Sequence, residues 1–346
     1  MPYRRLLPFV IRCSLLLALL LPLFSLGEGA AQAAPDWARL DRALKREAAN
    51  GHLLVTEVTE GTCAAQPVHA WQADRRLAIA STFKFYVLAE LVHQIETGQA
   101  TWRERVAIQD DFRSMPSGDL AYAPTGTRVA LEDLAIAMIG KSDNTATDHL
   151  IARLGRTNVE SAFARAGHAA PELNMPMLLT RELFAIKMRQ PERWMTAFVA
   201  ASDDEQRAML AAEIDPMRLD PYGGWGNWNG PTQIDGIEWF ASADEVCDVV
   251  AGLYAKSRQP ELAPLRDILF SNTGGVARHR SWRELGFKAG YEAGVLNLTW
   301  LVERNDGRAF VVSVGLNDGK RIPDGWDVRE ALEPVWKCLA QRGACR

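Results

Sequence analysis

Ser81 and Lys84 stand three residues apart within the apolar stretch "LAIASTFKFYVLAEL", residues 77–91. Apolar residues recur there at helical spacing, and residues three apart on a helix share a face, so the lysine can approach the serine hydroxyl. A lysine buried in apolar surroundings has a lowered pKa and can take the hydroxyl proton, which makes the serine a nucleophile. The alternative is an ordinary helix start, with Ser81 as the cap and Lys84 extending to solvent.

Two further short patterns favour the chemical interpretation. "SDN" at 142–144 lies between two predicted helices, and "KAG" at 288–290 lies on a predicted strand near the C-terminus. S-x-x-K, S-D-N and K-T-G together are the signature of class A β-lactamases and penicillin-binding proteins. The sequence therefore resembles the serine β-lactamase and penicillin-binding-protein superfamily, most closely class A β-lactamases. The resemblance covers most of the chain after its N-terminal segment, and it is partial at the third motif.

The resemblance implies three catalytic residues. Ser81 would be the nucleophile that becomes acylated, and Lys84 would be its base or proton relay. Ser142 would carry a proton to the leaving nitrogen. No cofactor or metal is implied.

The resemblance also implies substrate-binding groups. Asn144 would hydrogen-bond the side-chain amide of the substrate, and Lys288 would supply positive charge to Ser142 and to the substrate carboxylate. Gly290 completes the third motif, and the N–H of Tyr291 would form an oxyanion hole with the N–H of the nucleophile. Three preceding arginines are further candidates for the carboxylate, with a charged strand rim as the alternative: Arg278, Arg280 and Arg283.

Two departures from the family pattern bear on turnover. Ala289 replaces the usual hydroxyl residue of K-T-G, which removes one donor to the substrate carboxylate. Class A enzymes also carry a glutamate on an omega loop that activates the deacylating water, and the nearest text here is "APELN" at 170–174, with Ala170 in the glutamate position. Three glutamates are possible substitutes, each with the alternative of a solvated or helix-capping carboxylate: Glu172, Glu182 and Glu238.

The elements that position these residues predict a mixed α/β chain. A helix and a strand hairpin follow residue 34, helices fill the middle, and an Asn-Asp-Gly turn at 305–307 joins two apolar strands near the end. We therefore expect a three-layer α/β/α sandwich whose antiparallel sheet is formed by both chain termini, with an inserted all-α domain. The predicted sheet domain comprises 34–80 and 258–346. The predicted helical domain is 81–257, with an insertion around 168–241 that includes an irregular, glycine-rich loop at 220–236.

The N-terminus has the pattern of a signal peptide over residues 1–33. Three arginines precede an apolar run at 13–26, and an A-x-A site ends at Ala33. The alternative is a retained anchor, but the apolar run is shorter than the roughly 20 residues that span a bilayer, and Pro22 interrupts it. We expect a periplasmic or secreted protein with no stable membrane span after cleavage.

Composition narrows the class of partner. The formal net charge of −4 gives no indication of nucleic-acid binding, so the expected partner is a small-molecule substrate, a β-lactam or an acyl ester. Export permits disulfides among the four later cysteines, and proximity favours Cys338 with Cys345. None of these cysteines has a histidine at a ligand-like spacing, so no zinc site is expected.

The sequence therefore predicts an exported serine hydrolase that opens β-lactam rings through a Ser81 acyl-enzyme. Acylation is expected to outrun deacylation, because the glutamate motif is not intact. Three alternatives remain open at this point: a carboxylesterase or amidase on the same scaffold, a D-Ala-D-Ala peptidase, and a non-turnover β-lactam-binding protein.

Overall fold

The computed structural model describes residues 34–217, 230–341 and 345. The predicted signal peptide at 1–33 and most of the predicted glycine-rich loop lie outside these residues. Every helix within the described residues is too short or too polar to cross a membrane.

Helices fill the middle of the chain and flank the sheet at both ends. Their bounds are α1 Trp37–Glu47, α2 Lys84–Glu96, α3 Leu131–Gly140, α4 Asn144–Leu154, α5 Arg156–Arg165, α6 Thr180–Arg189, α7 Glu192–Ala200, α8 Asp203–Met209, α9 Ala243–Lys256, α10 Pro264–Leu269, α11 Gly325–Ala331 and α12 Glu333–Leu339. The end of the chain thus forms two successive helices, α11 and α12. The second begins with Pro334 in its first turn, where a missing N–H costs nothing.

The strands form one large antiparallel sheet and two short pairs. Their bounds are β1 Asn50–Thr59, β2 Thr62–Cys63, β3 His69–Trp71, β4 Leu77–Ala78, β5 Arg105–Ala107, β6 Arg128–Ala130, β7 Phe240–Ala241, β8 Trp282–Glu292, β9 Val295–Arg304 and β10 Ala309–Asn317. The large sheet runs β2-β1-β10-β9-β8, with β3 also paired to β1. β4 pairs with β7, and β5 pairs with β6.

The pairing of β1 with β10 confirms that one sheet is built from both ends of the chain. The Asn-Asp-Gly turn connects β9 to β10 as predicted. β8 is the last strand in this order, so one of its edges is free of strand partners and its backbone groups can face a neighbouring element.

Helices cover both faces of this sheet, which confirms the three layers. Leu53 and Val55 of β1 pack with α1, α11 and α12 in one apolar core, whereas Leu54 packs with the helices of the middle of the chain in another. Every residue of β9 and β10 is buried, as a strand covered on both faces requires.

Two disulfides cross-link the described part of the chain. Cys338 bonds to Cys345 as predicted, and Cys63 bonds to Cys247. The second bond joins β2 at the sheet edge to α9 of the helical layer.

Candidate active site

Ser81 lies in the 3-10 turn Ala80–Phe83, which leads directly into α2, and its side chain is half-buried. Ala80 adopts φ +43°, a left-handed conformation that a residue with a Cβ rarely takes. Surrounding contacts hold this strained turn, among them a 2.8 Å hydrogen bond from the N–H of Ile79 to the carbonyl of Trp239. Ser81 therefore sits on a fixed turn at the start of a helix, not on a regular helical turn as predicted.

Lys84 begins α2, and its side chain is fully buried. Its ammonium donates hydrogen bonds to Ser142 O at 2.7 Å, Ser142 Oγ at 3.2 Å and Asn144 Oδ1 at 2.7 Å. These bonds use all the donors of an ammonium, and none of the hydrogen bonds among the described residues joins Lys84 to the Ser81 hydroxyl. A neutral lysine has a lone pair in place of one donor, so in that form Lys84 can accept a proton.

Lys288 approaches the same hydroxyl from β8. Its buried ammonium donates to Ser142 Oγ at 2.9 Å, so this oxygen lies between two lysine nitrogens. Ser142 has φ +58°, which makes it the second residue of the site in a left-handed conformation. The structure thus brings together Lys84, Ser142, Asn144 and Lys288 as the sequence predicts.

The pKa values of Lys84 and Lys288 are lowered, whereas an ion pair with a carboxylate would raise them. Burial lowers the pKa of Lys84 to about 7, although the charges of Asp148 and Asp143 partly oppose the shift. Burial, and then the positive charge of Lys84, hold the pKa of Lys288 well below its ordinary value. Neither lysine forms a salt bridge with a carboxylate in the described part of the chain. With this pKa, Lys84 is suited to exchanging protons near neutral pH.

Asp143 has a structural role in the second motif. Its Oδ1 accepts from the N–H of Ala146 at 2.8 Å and caps α4, while its Oδ2 accepts from the N–H groups of Asp119 and Leu120. A Cβ on Gly118 would lie 2.1 Å from this carboxylate, so only glycine fits there. These contacts fix the helix start from which Ser142 and Asn144 reach Lys84.

Gly290 allows β8 to approach the turn Ala80–Phe83, which bears Ser81. A Cβ at this position would lie 1.9 Å from Ile79 O and 3.0 Å from Thr82 Oγ1, so the absence of a side chain permits the close approach. The free edge of β8 therefore runs beside Ser81. Tyr291 follows on this edge with its side chain 59% exposed.

The three candidate glutamates occupy different environments. Glu182 is fully buried, pairs with Arg156 and accepts from the N–H of Leu179 at 2.8 Å. Glu238 is buried and pairs with Lys187 at 2.9 Å. Glu172 is exposed on the 3-10 helix Pro171–Asn174. Two of the three carboxylates are thus held in ion pairs, one with the partly exposed Arg156 and one with the buried Lys187, and the third faces solvent.

The last residue of the "APELN" segment is linked to the strand that precedes Ser81. Asn174 exchanges two hydrogen bonds with the backbone of Phe240, at 2.8 and 3.1 Å. Phe240 belongs to β7, which pairs with β4 immediately before Ser81.

Sequence reasoning missed Asp148, which lies one turn beyond Asn144 on α4. Its buried carboxylate accepts from Thr180 N and Oγ1, both at 2.8 Å, and from Arg181 N at 2.9 Å. Burial raises its pKa to about 7, although these hydrogen bonds oppose the shift. The i, i+4 spacing from Asn144 was the signal that would have found it.

Sequence reasoning also missed Arg329. It lines a cavity together with Ala289 and Tyr291, the residues that alternate with Lys288 and Gly290 along β8. Of the arginines that were predicted instead, Arg278 pairs with Glu284 and Arg283 with Glu303.

Comparison with known proteins agrees with this geometry. A model of the β-lactamase enzyme family matches residues 37–222, more than half of the chain. The chain belongs to this family. The matched residues include the turn that bears Ser81 and the "SDN" motif, and they end before β8.

Curated relatives match over a shorter stretch. β-Lactamase CTX-M-25 of Escherichia coli is 34% identical over 100 residues, which are 28% of this chain and 32% of that protein. β-Lactamase CTX-M-8 of Citrobacter amalonaticus is 37% identical over 103 residues, 28% of this chain and 33% of that protein. These alignments span about a third of the length of the relatives.

Solved structures share the whole fold at low identity. The β-lactamase of Sphaerobacter thermophilus superposes with a TM-score of 0.58 at 20% identity, covering 89% of this chain and 97% of that one. A mutant of PBP-A, solved as an acyl-enzyme complex with penicillin G, gives 0.58 at 17% identity and covers 87% and 95%. A reconstructed ancestral class A β-lactamase of Gram-negative bacteria gives 0.60 at 16% identity, covering 87% and 98%.

Proposed function

We propose that this chain is an exported serine hydrolase that opens β-lactam rings through an acyl-enzyme on Ser81. The observation that carries the proposal is the Ser142 hydroxyl, held between two buried lysine nitrogens beside the turn that bears Ser81. With a pKa of about 7, Lys84 is neutral in a large share of molecules at neutral pH and can accept a proton.

Acylation would proceed as follows. Ser81 Oγ forms a bond to the lactam carbonyl carbon and loses its proton to Lys84. The N–H groups of Ser81 and Tyr291 stabilise the charge on the carbonyl oxygen. As the C–N bond breaks, Ser142 gives its proton to the leaving nitrogen and regains one from Lys84. The acyl group remains on Ser81 as an ester.

The positively charged side chains near the third motif favour an anionic substrate. Lys288 and Arg329 lie on the two faces of β8, and Asn144 offers an amide beside Lys84. The similar PBP-A structure holds penicillin G as an acyl-enzyme, so penicillin G is the first substrate to test.

Deacylation is proposed to be slow. Of the three candidate glutamates, Glu182 and Glu238 are held in ion pairs and Glu172 is exposed. Loss of a positioned base typically costs about 10²- to 10⁴-fold in rate. The same observation favours a second candidate function, a β-lactam-binding protein that is acylated and does not turn over.

Intact-protein mass spectrometry after mixing with penicillin G tests the proposal. We expect the mass to rise by one penicillin within the first minutes and to remain raised, with a matching burst of ring opening. Ser81→Ala should show no added mass. Labelling of Ser81→Ala would refute the assignment of the nucleophile, and steady hydrolysis without a burst would show that a deacylating base exists.

Export is supported by the N-terminal sequence and by the two disulfides, which form in oxidising compartments. N-terminal sequencing of the secreted or periplasmic protein should begin at Ala34. A protein that retains Met1 would contradict the proposed cleavage.

A further inference from the structure

A cavity of about 720 Å³ lies between α2, α5 and α9, beside the turn that joins β1 to β2. Lys84 begins α2, whereas the cavity is bordered by Ala89 and His93 further along the same helix. His93 lies nine residues beyond Lys84, or roughly 13 Å along the helix axis. The cavity is therefore separate from the candidate active site, and its volume is in the range of small-molecule sites.

Short side chains line much of the cavity. They are Ala89 of α2, Ala162 and Ala166 of α5, and Gly252 of α9. A Cβ at Gly252 would meet no atom within 4 Å outside the backbone of its own helix, so the packing of the described residues does not require glycine there. Glycine also disfavours the interior of a helix. The fold thus leaves the space above Gly252 unfilled although a larger residue would suit α9 better.

Three basic side chains, each from a different helix, border the cavity: His93, Arg165 and Lys256. Arg165 uses only Nη2 in its ion pair with the buried Glu90, and no hydrogen bond joins its Nε or Nη1 to another described residue. Lys256 uses one of its three N–H groups in its ion pair with Glu96. These side chains therefore keep N–H donors for an anion at this edge of the cavity.

The carboxylate on the cavity wall lies away from Lys256. Asp248 is the one acidic residue among the described lining residues, and it accepts from the N–H of Cys63 at 3.5 Å. It precedes Lys256 by eight residues on α9, or roughly 12 Å along the helix axis. Gly252 lies between them on the same face of the helix. The wall formed by α9 thus has a basic end, an open apolar middle and an acidic end.

We propose that this cavity is a second binding site, for a linear amphipathic carboxylate such as a medium-chain fatty acid. The carboxylate would bind between Arg165 and Lys256, and the alkyl chain would lie over Gly252. The alternative is that the three basic residues only balance the C-terminal ends of their helices, since each lies in a last turn. The site does not depend on the chemistry proposed for Ser81.

Isothermal titration of the purified protein with decanoate tests the site. We expect one decanoate to bind per chain, about tenfold more tightly than decanol, the scale of a hydrogen bond to a charged group. Decanol has the same alkyl chain and lacks the charge, so the ratio of the two affinities reports the basic end of the cavity.

Gly252→Leu tests the open middle of the cavity. The added side chain should weaken decanoate binding at least tenfold, about the effect of two methylene groups that are no longer buried. The free energy of unfolding should not fall, because leucine favours a helix interior over glycine. Gly319→Leu is the matched control and should leave binding unchanged, since a Cβ there also meets no atom within 4 Å and Gly319 lies outside the cavity.

Lys256→Gln tests the basic end and breaks only a partly exposed ion pair, so its effect on stability should be small. It should weaken decanoate about tenfold and leave decanol unchanged. Absence of saturable decanoate binding, or binding that Gly252→Leu does not weaken, would overturn the site and leave the three cations with a role at helix ends alone. Equal binding of decanoate and decanol by the parent protein would overturn the assignment of a carboxylate ligand.

Discussion

Two regions of this molecule bury lysine, and they hold it in opposite ways. Lys84 and Lys288 lie around a serine hydroxyl without a carboxylate partner, and burial lowers the pKa of both. Lys187 lies between Glu238 at 2.9 Å and Glu292 at 2.6 Å. Burial lowers its pKa too, but the two carboxylates outweigh this and raise the pKa above its ordinary value.

The carboxylates of the two regions explain the difference. Burial, and then the charge of Glu238, raise the pKa of Glu292 well above its ordinary value. Each of the two carboxylates in this region is nevertheless paired directly with the lysine. Near Lys84, by contrast, the carboxylates of Asp143 and Asp148 accept hydrogen bonds from backbone N–H groups. Neither carboxylate is hydrogen-bonded to the lysine, so its charge has no direct ion-pair partner among the described residues. A buried lysine is therefore a structural ion in one region and a candidate base in the other.

The Lys187 cluster is connected to the turn that bears Ser81 through residues next to its two glutamates. Glu292 follows Tyr291 on β8, and Glu238 precedes Trp239, whose carbonyl accepts from the N–H of Ile79. The cluster thus joins the end of β8 to the segment that hydrogen-bonds Ile79.

The largest expected effect is that of Lys84→Met on chemistry. Acylation of Ser81 by penicillin G should slow by about 10²- to 10⁴-fold, or roughly 3 to 5 kcal/mol of barrier, because the base is lost. The initial rate of mass increase measures this. The free energy of unfolding should change little, because removal of a poorly compensated buried charge offsets the loss of its hydrogen bonds to Ser142 and Asn144.

A Lys84→Met protein that acylates at the parent rate would abolish the contrast between the two regions. Ser81→Ala supplies the baseline of the assay, because it removes the acylated atom itself.

The next effect is on stability. Lys187→Met should lower the free energy of unfolding by about 3 to 5 kcal/mol, because Glu238 is left buried without its cation. Urea unfolding measures the loss. Glu292→Gln is the matched control and should cost less, because Lys187 and Glu238 then remain paired with each other. If Lys187→Met is as stable as the parent, the cluster does not hold the fold together.

The contrast between these lysines also shows what the sequence can reveal. Lys84 could be singled out because Ser81 lies three residues away, within one helical turn, although its hydrogen-bond partners Ser142 and Asn144 are 58 and 60 residues distant. Lys187 could not, because Glu238 and Glu292 are 51 and 105 residues distant and meet it only in the folded chain. Arg329 escaped prediction for the same reason: α11 comes against β8 only through the packing of the outer layer.

The fold itself was more predictable than the site. Alternating and continuous apolar runs identified the long strands, and the turn at 305–307 fixed the pairing of β9 with β10. The helix α7 could not be predicted from its sequence, since it lies in the predicted insertion and begins after Pro191 without a side-chain cap. The division into a sheet domain and a helical domain, and the roles of the site residues, stay predictions.

The pH dependence of acylation should follow Lys84. Only the neutral amine accepts a proton, and the pKa of Lys84 is about 7, so the rate should rise with pH and level off above that value. Below pH 7 the rate should fall about tenfold for each pH unit, as expected for a single essential base. Because Lys288 shares the Ser142 hydroxyl, the midpoint belongs to the coupled pair of lysines. A flat profile between pH 5 and 8 would contradict a lysine base.

The smallest expected effect comes from Ala289→Thr, which adds a hydroxyl to the third motif on the side of Arg329. A new hydrogen bond to a carboxylate contributes about 1.5 to 3 kcal/mol at best and about 0.5 kcal/mol where solvent competes, so we expect a 2- to 10-fold gain in the second-order rate constant for acylation by penicillin G. Penicillin G methyl ester is the control, because it lacks the carboxylate and should gain nothing. Ala289→Val adds similar bulk without a donor and should not reproduce the gain. Equal gains for the acid and its ester would show that the hydroxyl changes the position of β8 and does not contact the substrate carboxylate. The carboxylate would then be bound by Lys288 and Arg329 alone.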